Sequence, residues 1–368
     1  MAVILDVAGI SHNASIIRGV CDGAALATRA MCKQAYAIPA IVEAMSAGGI
    51  DRFGASSVAA ARRVARITGR ECGLFGIDAA AQGRSAGAIT PAMHRNVDAV
   101  IQALAASRAN FAWLSVLTSD GRDGLAPAAL MGAVHALSAY SELRGRFGVL
   151  LNWGCLGGAP PRDELQGFAD LLTKAAAGAA LPVSLGGSAL LPLLGCFSIP
   201  GSCEVRVGEA ILTGTIPGSD GSALGLVRPI SLDASVVDLQ MTSDGARRIA
   251  VDRGKTCLDI EEVTIRDIDA RPFAASSELA LFDLAPGARA PQLGAKVELL
   301  LGYQSTLRTL LNRTIRRQMR YSPGAFSTIA RRLPQGTSPR PGTARRFDER
   351  AGQNVNSRHP GRFTASDS

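Results

Sequence analysis

The chain has 368 residues, 47% of them hydrophobic and 19% charged, which supports a sizeable buried core and excludes a chain disordered throughout. Its formal charge of +8 belongs to one end: residues 304–368 carry 13 Arg against 3 acidic residues, while residues 1–303 carry 26 basic against 28 acidic. A near-neutral body with 5% aromatic residues is no platform for stacking bases, so nucleic-acid binding by the body is not expected.

In chain order, the opening MAVILDVAG is too short for the apolar stretch of a secretory leader and carries Asp6 with no basic residue before it. From residue 25 short apolar runs alternate with helical patterns, the mark of repeated βα units and a parallel sheet. The first run, 24–33, precedes a helix that Pro39 suits as a starting residue and that Gly48 and Gly49 end. Further strands are predicted at 52–56, 72–76, 85–90, 111–118, 147–152, 181–187 and 204–207, eight in all. Helices are predicted between several of them, in SSVAAARRVARIT, MHRNVDAVIQALAAS, PAALMGAVHALSA and DELQGFADLLTKAAA, where apolar residues recur at spacings of three and four. Eight such units predict an α/β chain whose first part, residues 1–227, is a (β/α)8 TIM-type barrel. A doubly wound open sheet, which would use fewer strands, is the alternative.

Beyond 227 the texture changes to PISLDASVVDLQM, RRIAVD, SELALFDLA and AKVELLLGY with turn residues between, which predicts a small C-terminal β domain at 228–320. Residues 321–368 lack periodicity, are rich in Pro, Gly, Ser and Arg, and are predicted to be a disordered basic tail, a solvated charge run rather than a nucleic-acid site. No stretch reaches the roughly 18 uninterrupted apolar residues of a membrane span. The seven cysteines, Cys21, Cys32, Cys72, Cys155, Cys196, Cys203 and Cys257, are scattered and never spaced as CxxC, so neither a disulfide framework nor a metal site is expected. The expectation is a soluble, cytoplasmic protein with no membrane partner.

A barrel carries its chemistry where its strands end on the C-terminal side. Of the four lysines, Lys33, Lys174, Lys255 and Lys296, only Lys33 ends a predicted barrel strand. There its amine would project over the mouth as a nucleophile for a carbonyl, unless it is a solvated lysine at a loop start. At the far end of the barrel, LPVSLGGSALLP and CEVRVGEAILTG place glycines between strand and helix, so that backbone N–H groups can approach an anion, with the Ser188 hydroxyl as a further donor. Arg206 stands near the end of the last strand in an apolar stretch, and an inward arginine needs a partner. A lysine at strand one, a phosphate cradle at strands seven and eight, and an arginine beside it describe a site for pyridoxal 5'-phosphate (PLP).

AVILDVAGISHNASIIRG and CKQAYAIPAIVEAMSAGGIDRFGASSV resemble the start and the lysine-bearing strand and helix of alanine racemase-type enzymes, the fold-type III PLP family. NWGCLGGAPPRDEL from Asn152, VSLGGSALLPLL from Val183, RVGEAILTG from Arg206 and ASSELALFD from Ala275 are similar, in the same order, to segments of its ornithine racemase branch. The resemblance implies a PLP-dependent isomerase, an amino-acid racemase that acts as a homodimer on ornithine, alanine or a similar small molecule. It implies that Lys33 links to the cofactor and then serves as one base at Cα, and that Arg206 contacts the pyridine nitrogen and keeps it unprotonated. Ser188 and the backbone N–H groups of Gly187, Gly208 and Glu209 would hold the phosphate together with Tyr303. Asn152 would lie near the ring, and Arg122, in DGRDG, near the cofactor hydroxyl or the substrate carboxylate.

The sequence also departs from that family. Alanine-type racemases bring a tyrosine from the partner subunit's β domain as the second base, and the corresponding stretch RIAVDRGKTCLDI has none. Cys257, Asp259 and Lys255 within it, and Cys155 in NWGCLGG, are the candidates for that role. Tyr36 follows Lys33 by three residues, where the alanine-type phosphate tyrosine follows by four, and the chain after Leu311 leaves the pattern. These departures keep open a fold-type III PLP aldolase or decarboxylase, and a non-catalytic PLP-binding or homeostasis protein.

Overall fold

The computed structural model describes residues 2–33, 37–75, 89–92, 95–106, 111–122, 124–155, 158–176, 181–199, 201, 203–218, 221–243 and 245–321. The chain enters through β1 (Ala2–Asp6), whose first four residues are buried. Asp6 turns it into α1 (Val7–Gly23) by accepting a hydrogen bond from the Gly9 N–H at 3.0 Å, which satisfies one of the donors left open at a helix start. Eight parallel strands follow: β2 (Ala27–Cys32), β3 (Arg52–Ala55), β4 (Cys72–Phe75), β5 (Ile89–Ala92), β6 (Ala112–Ser115), β7 (Phe147–Asn152), β8 (Val183–Gly186) and β9 (Cys203–Val207). They hydrogen-bond in the order β5-β4-β3-β2-β9-β8-β7-β6, and β5 returns alongside β6, so the sheet curls into the expected barrel rather than an open one. The strand predicted at 85–90 is found as β5; residues 85–88 lie outside the described residues.

The helices α2 (Pro39–Ala47), α3 (Val58–Thr68), α4 (Val97–Ala106), α5 (Leu130–Ala139) and α6 (Arg162–Ala176) fall where the periodicity predicts them, and a short α7 (Glu209–Thr213) follows β9. Local chemistry sets their ends. Pro39 opens α2, the Ser57 hydroxyl accepts from the Ala60 N–H at 3.3 Å to open α3, and Gly69 closes it at a φ of 65° that other residues adopt at a cost.

Along β2 burial alternates: Thr28, Ala30 and Cys32 are buried beneath the helices, while Arg29 and Met31 turn into the barrel. Inside, Met31 and Phe111 pack on Phe75, Trp113 and Leu150. These side chains take the room of others on β3 and β4: a Cβ at Gly54 would lie 2.6 Å from Met31 Sδ, and one at Gly73 would lie 2.6 Å from the Phe75 ring.

The second sheet is built from β10 (Ile230–Met241), β11 (Arg247–Val251), β12 (Thr264–Ile265), β13 (Ala270–Ala275), β14 (Ala280–Leu284) and β15 (Lys296–Leu300), antiparallel in the order β12-β15-β10-β11-β14-β13. Helix α8 (Tyr303–Leu311) and β16 (Arg316–Arg320) complete it. β1 joins this sheet and not the barrel, antiparallel to β10 and parallel to β16. The run RRQMR, where the sequence leaves the family pattern, is thus an edge strand whose arginines face solvent, a charge distribution that discourages pairing with another edge. Among the described residues no helix is long and apolar enough to cross a membrane. The tail predicted to be disordered lies, from residue 322 on, outside the described residues.

Candidate active site

Lys33 is the residue immediately after β2, and the strand's two-residue period gives it the same inward direction as Arg29 and Met31. Its half-buried Nζ is hydrogen-bonded to the Tyr303 hydroxyl and stands 4.7 Å from the centre of that ring. Tyr303 is the first residue of α8, so the β domain delivers a phenol to the C-terminal mouth of the barrel. The start of α8 is fixed by Glu262, whose carboxylate accepts from the Gln304 N–H at 2.8 Å and sits so close to Gly302 that a Cβ there would be 2.5 Å from its own.

The loops after β8 and β9 meet beside this pair. Ser188 is 6% exposed, and its hydroxyl accepts from the Ala210 N–H at 3.1 Å, while its own proton has no acceptor among the described residues. Gly187 precedes it, and the short turn Ser188–Leu193 follows. Gly208 lies against the end of β2: a Cβ would stand 2.9 Å from the Met31 carbonyl oxygen. Glu209 opens α7. Burial, and then the charge of Glu262, push its carboxyl up to about 7, against the pull of Lys33.

Arg206 is 4% exposed and points into the barrel just below. Its Nη1 donates to Ser184 Oγ at 2.6 Å, and its Nη2 donates to the Leu151 carbonyl at 2.9 Å and to Asn152 Oδ1 at 2.5 Å. These are the partners an inward arginine requires. Burial lowers its pKa to about 9, with the charge of Glu204 opposing the fall. The Ser184 hydroxyl donates in turn to Glu204 Oε1 at 2.7 Å, and Arg29 grips the same carboxylate from Nε at 2.7 Å and from Nη2 at 2.8 Å. Burial alone would raise the Glu204 pKa; the hydrogen bonds and charge of Arg29, with Ser184 and Arg206, hold it below the usual carboxylate range.

Lys33, Tyr303, Gly187, Ser188, Gly208, Glu209, Asn152 and Arg206 are therefore brought to one mouth, with Asn152 bonded to Arg206. Arg122 and Cys155 meet beside it, where Arg122 Nη1 is 3.2 Å from Cys155 Sγ and the Cys155 N–H donates to Asp120 at 3.0 Å. Among the described residues no polar contact joins Cys257, Asp259 or Lys255 to Lys33. Cys257 is 4% exposed under α8, Asp259 faces Arg308 at 3.5 Å, and Lys255 is exposed on the same groove. Tyr36 lies outside the described residues. Sequence reasoning missed Ser184, Glu204 and Glu262. Glu204 carried a signal, since it stands two residues before Arg206 in an apolar strand and so shares its inward face.

Residues 5–216 match the family described as alanine racemase, N-terminal domain. The chain belongs to this family. Its fold is similar to that of the biosynthetic alanine racemase from Pseudomonas aeruginosa (18% identity, TM-score 0.63, covering 87% of this chain and 99% of that one). It is also similar to the D-threo-3-hydroxyaspartate dehydratase from Delftia sp. HT23 (17%, 0.64, 87% and 94%) and to the alanine racemase from Bartonella henselae with covalently bound pyridoxal phosphate (17%, 0.61, 87% and 98%). No curated protein sequence matches the chain. Within the alanine racemase fold, then, Lys33 directly follows the first barrel strand and Tyr303 reaches it from the second domain.

Proposed function

We propose that the protein is a PLP-dependent enzyme acting at the Cα–H bond of an amino acid, in the first place a racemase. The observation that carries this reading is the meeting of Lys33 with Tyr303 at the barrel mouth, beside the Ser188–Ala210 contact and above the buried Arg206. The donor set fits the cofactor: an amine for its aldehyde, a serine proton with no acceptor among the described residues and glycine-opened amides for its phosphate, and a buried guanidinium for its ring nitrogen. When bound, PLP supplies an electron sink for negative charge at Cα.

Lys33 is the base on one face of Cα, taking the proton there in one direction of the reaction and delivering one there in the other, its Nζ held in place by the strand end and by Tyr303. Ser188 and the amides at Gly208 and Glu209 bind phosphate, and the absence of a Cβ at Gly208 lets that turn lie against β2. Arg206 can only donate, so it keeps a ring nitrogen beside it as an acceptor. For the opposite face of the substrate, Cys155 is the candidate that lies at this mouth in the same chain, held by Arg122. Lys255, Cys257 and Asp259 would have to act from a partner subunit. The resemblance of four ordered segments to the ornithine racemase branch supports ornithine, alanine or a similar substrate and a cytoplasmic homodimer. The likeness to the Delftia dehydratase favours one second reading, a PLP lyase on the same scaffold.

The test is incubation of the PLP-loaded protein with a panel of L-amino acids in deuterated water, reading Cα deuterium, chirality and loss of substituents. Deuterium with inversion is expected and names the substrate. Loss of a substituent replaces the racemase by a lyase. No exchange with any amino acid, despite PLP fixed on Lys33, refutes both and leaves a cofactor-binding protein.

A further inference from the structure

A buried chain of hydrogen bonds crosses the barrel interior beneath the site, and its proton order has one solution. A guanidinium only donates and a carboxylate only accepts, so the single Ser184 proton goes to Glu204 (2.7 Å) and the Ser184 oxygen receives Arg206 (2.6 Å). Ser184 is 0% exposed and Glu204 3% exposed, so both groups are shielded from solvent. Arg29 closes the chain with two hydrogen bonds to Glu204, and Arg52 approaches the same carboxylate at 3.7 Å from the rim. Arg29 and Arg206 also share one aromatic neighbour, with their guanidinium carbons 5.5 and 5.2 Å from the centre of the Phe75 ring. Two cations on one ring inside a barrel need an anion near both, and Glu204 is that anion.

We propose that Glu204, anchored by Arg29 and acting through Ser184, is the positioning residue that fixes the orientation and the charge of Arg206 toward the cofactor ring. The inference rests on the reading of the mouth as a PLP site. Glu204 does not touch the ring position; it decides what Arg206 can offer there. The charged and titratable groups felt at Arg206 are Glu204 on its own strand, Arg29 on β2, Arg122 after β6 and Cys155 after β7, and Glu204 acts most strongly among them. Glu204→Gln keeps a group of the same size and removes the negative charge nearest Arg206, so the field at the cofactor ring becomes more positive. Ser184→Ala keeps the Arg29–Glu204 ion pair and removes only the link.

The experiment loads the full-length wild type and both variants with PLP, proves attachment to Lys33 by borohydride reduction and mass, and titrates the visible absorbance from about pH 6 to about pH 10. Both variants are expected to attach PLP. The midpoint of the absorbance change should fall by about one pH unit or more in Glu204→Gln and by a smaller amount in Ser184→Ala. With any substrate found, kcat should fall about tenfold and KM stay within about twofold. An unshifted midpoint in PLP-loaded Glu204→Gln overturns the inference and leaves the PLP reading standing; a wild type that attaches no PLP to Lys33 overturns both. Should Glu204→Gln not fold, Ser184→Ala decides alone, and an unshifted midpoint there overturns the inference.

Discussion

Gly208 is where the proposed phosphate cradle and the lysine strand are closest, and Gly208→Ala tests whether that closeness matters. The added methyl would stand 2.9 Å from the Met31 carbonyl oxygen and 3.3 Å from Met31 Cβ. The nearer of these is a backbone atom, so the turn between β9 and α7 must retreat from β2 by roughly 0.5 Å to restore ordinary contact. The backbone φ of −137° is open to alanine, so the cost is one of contact, about 1–3 kcal/mol by analogy with overpacked cores. The amides at Gly208 and Glu209 move with the turn. If they hold phosphate, PLP affinity falls by about 5- to 150-fold, at 1.4 kcal/mol for each factor of ten. The assay is a PLP titration read by absorbance beside a thermal melt, with Gly195→Ala as control, because a Cβ at Gly195 meets nothing within 4 Å. Wild-type affinity in a well-folded Gly208→Ala, or an equal loss in Gly195→Ala, refutes the cradle.

Three further outcomes are expected. Lys33→Ala should lose covalent PLP attachment, read by mass after reduction, and at least about a thousandfold of any Cα deuterium exchange. Tyr303→Phe removes one hydrogen-bonding group beside Lys33 and should weaken PLP binding by about 5- to 10-fold with the fold intact by circular dichroism. Glu209 has a carboxyl raised from 4.5 to about 7 in the folded protein, so the native state binds its proton more tightly than the unfolded chain does. Stability therefore falls as pH rises through that window, with the penalty complete above it. Glu209→Gln should melt higher than the wild type at about pH 8 and lose the advantage at about pH 4 in the cofactor-free protein; an advantage independent of pH refutes the assignment.

The eight barrel strands were legible because each is a short apolar run between turn or helix signals, and Lys33 stood out because it ends the first predicted run, one residue past the end of β2. Pro39 and Gly48 marked the two ends of α2 through their own backbone chemistry. The membership of β1 in the second sheet was hidden, since its pairing with β10 and β16 is set by residues far along the chain. Cys257 was a candidate base by its place in RIAVDRGKTCLDI alone, yet it is buried under α8, a packing decided by the Ser305 and Thr309 contacts to its neighbourhood. The link from Arg206 to Arg29 joins two strands whose partnership appears only once β2 and β9 are adjacent.

The place of β1 bears on the order in which the protein can be made. During synthesis this apolar strand emerges long before β10 and β16, the two strands that flank it, so it must wait unpaired while the whole barrel is translated. The barrel segment expressed alone would carry β1 with both edges open and would be expected to aggregate, whereas supplying the C-terminal segment in trans gives β1 its neighbours and should restore a soluble complex.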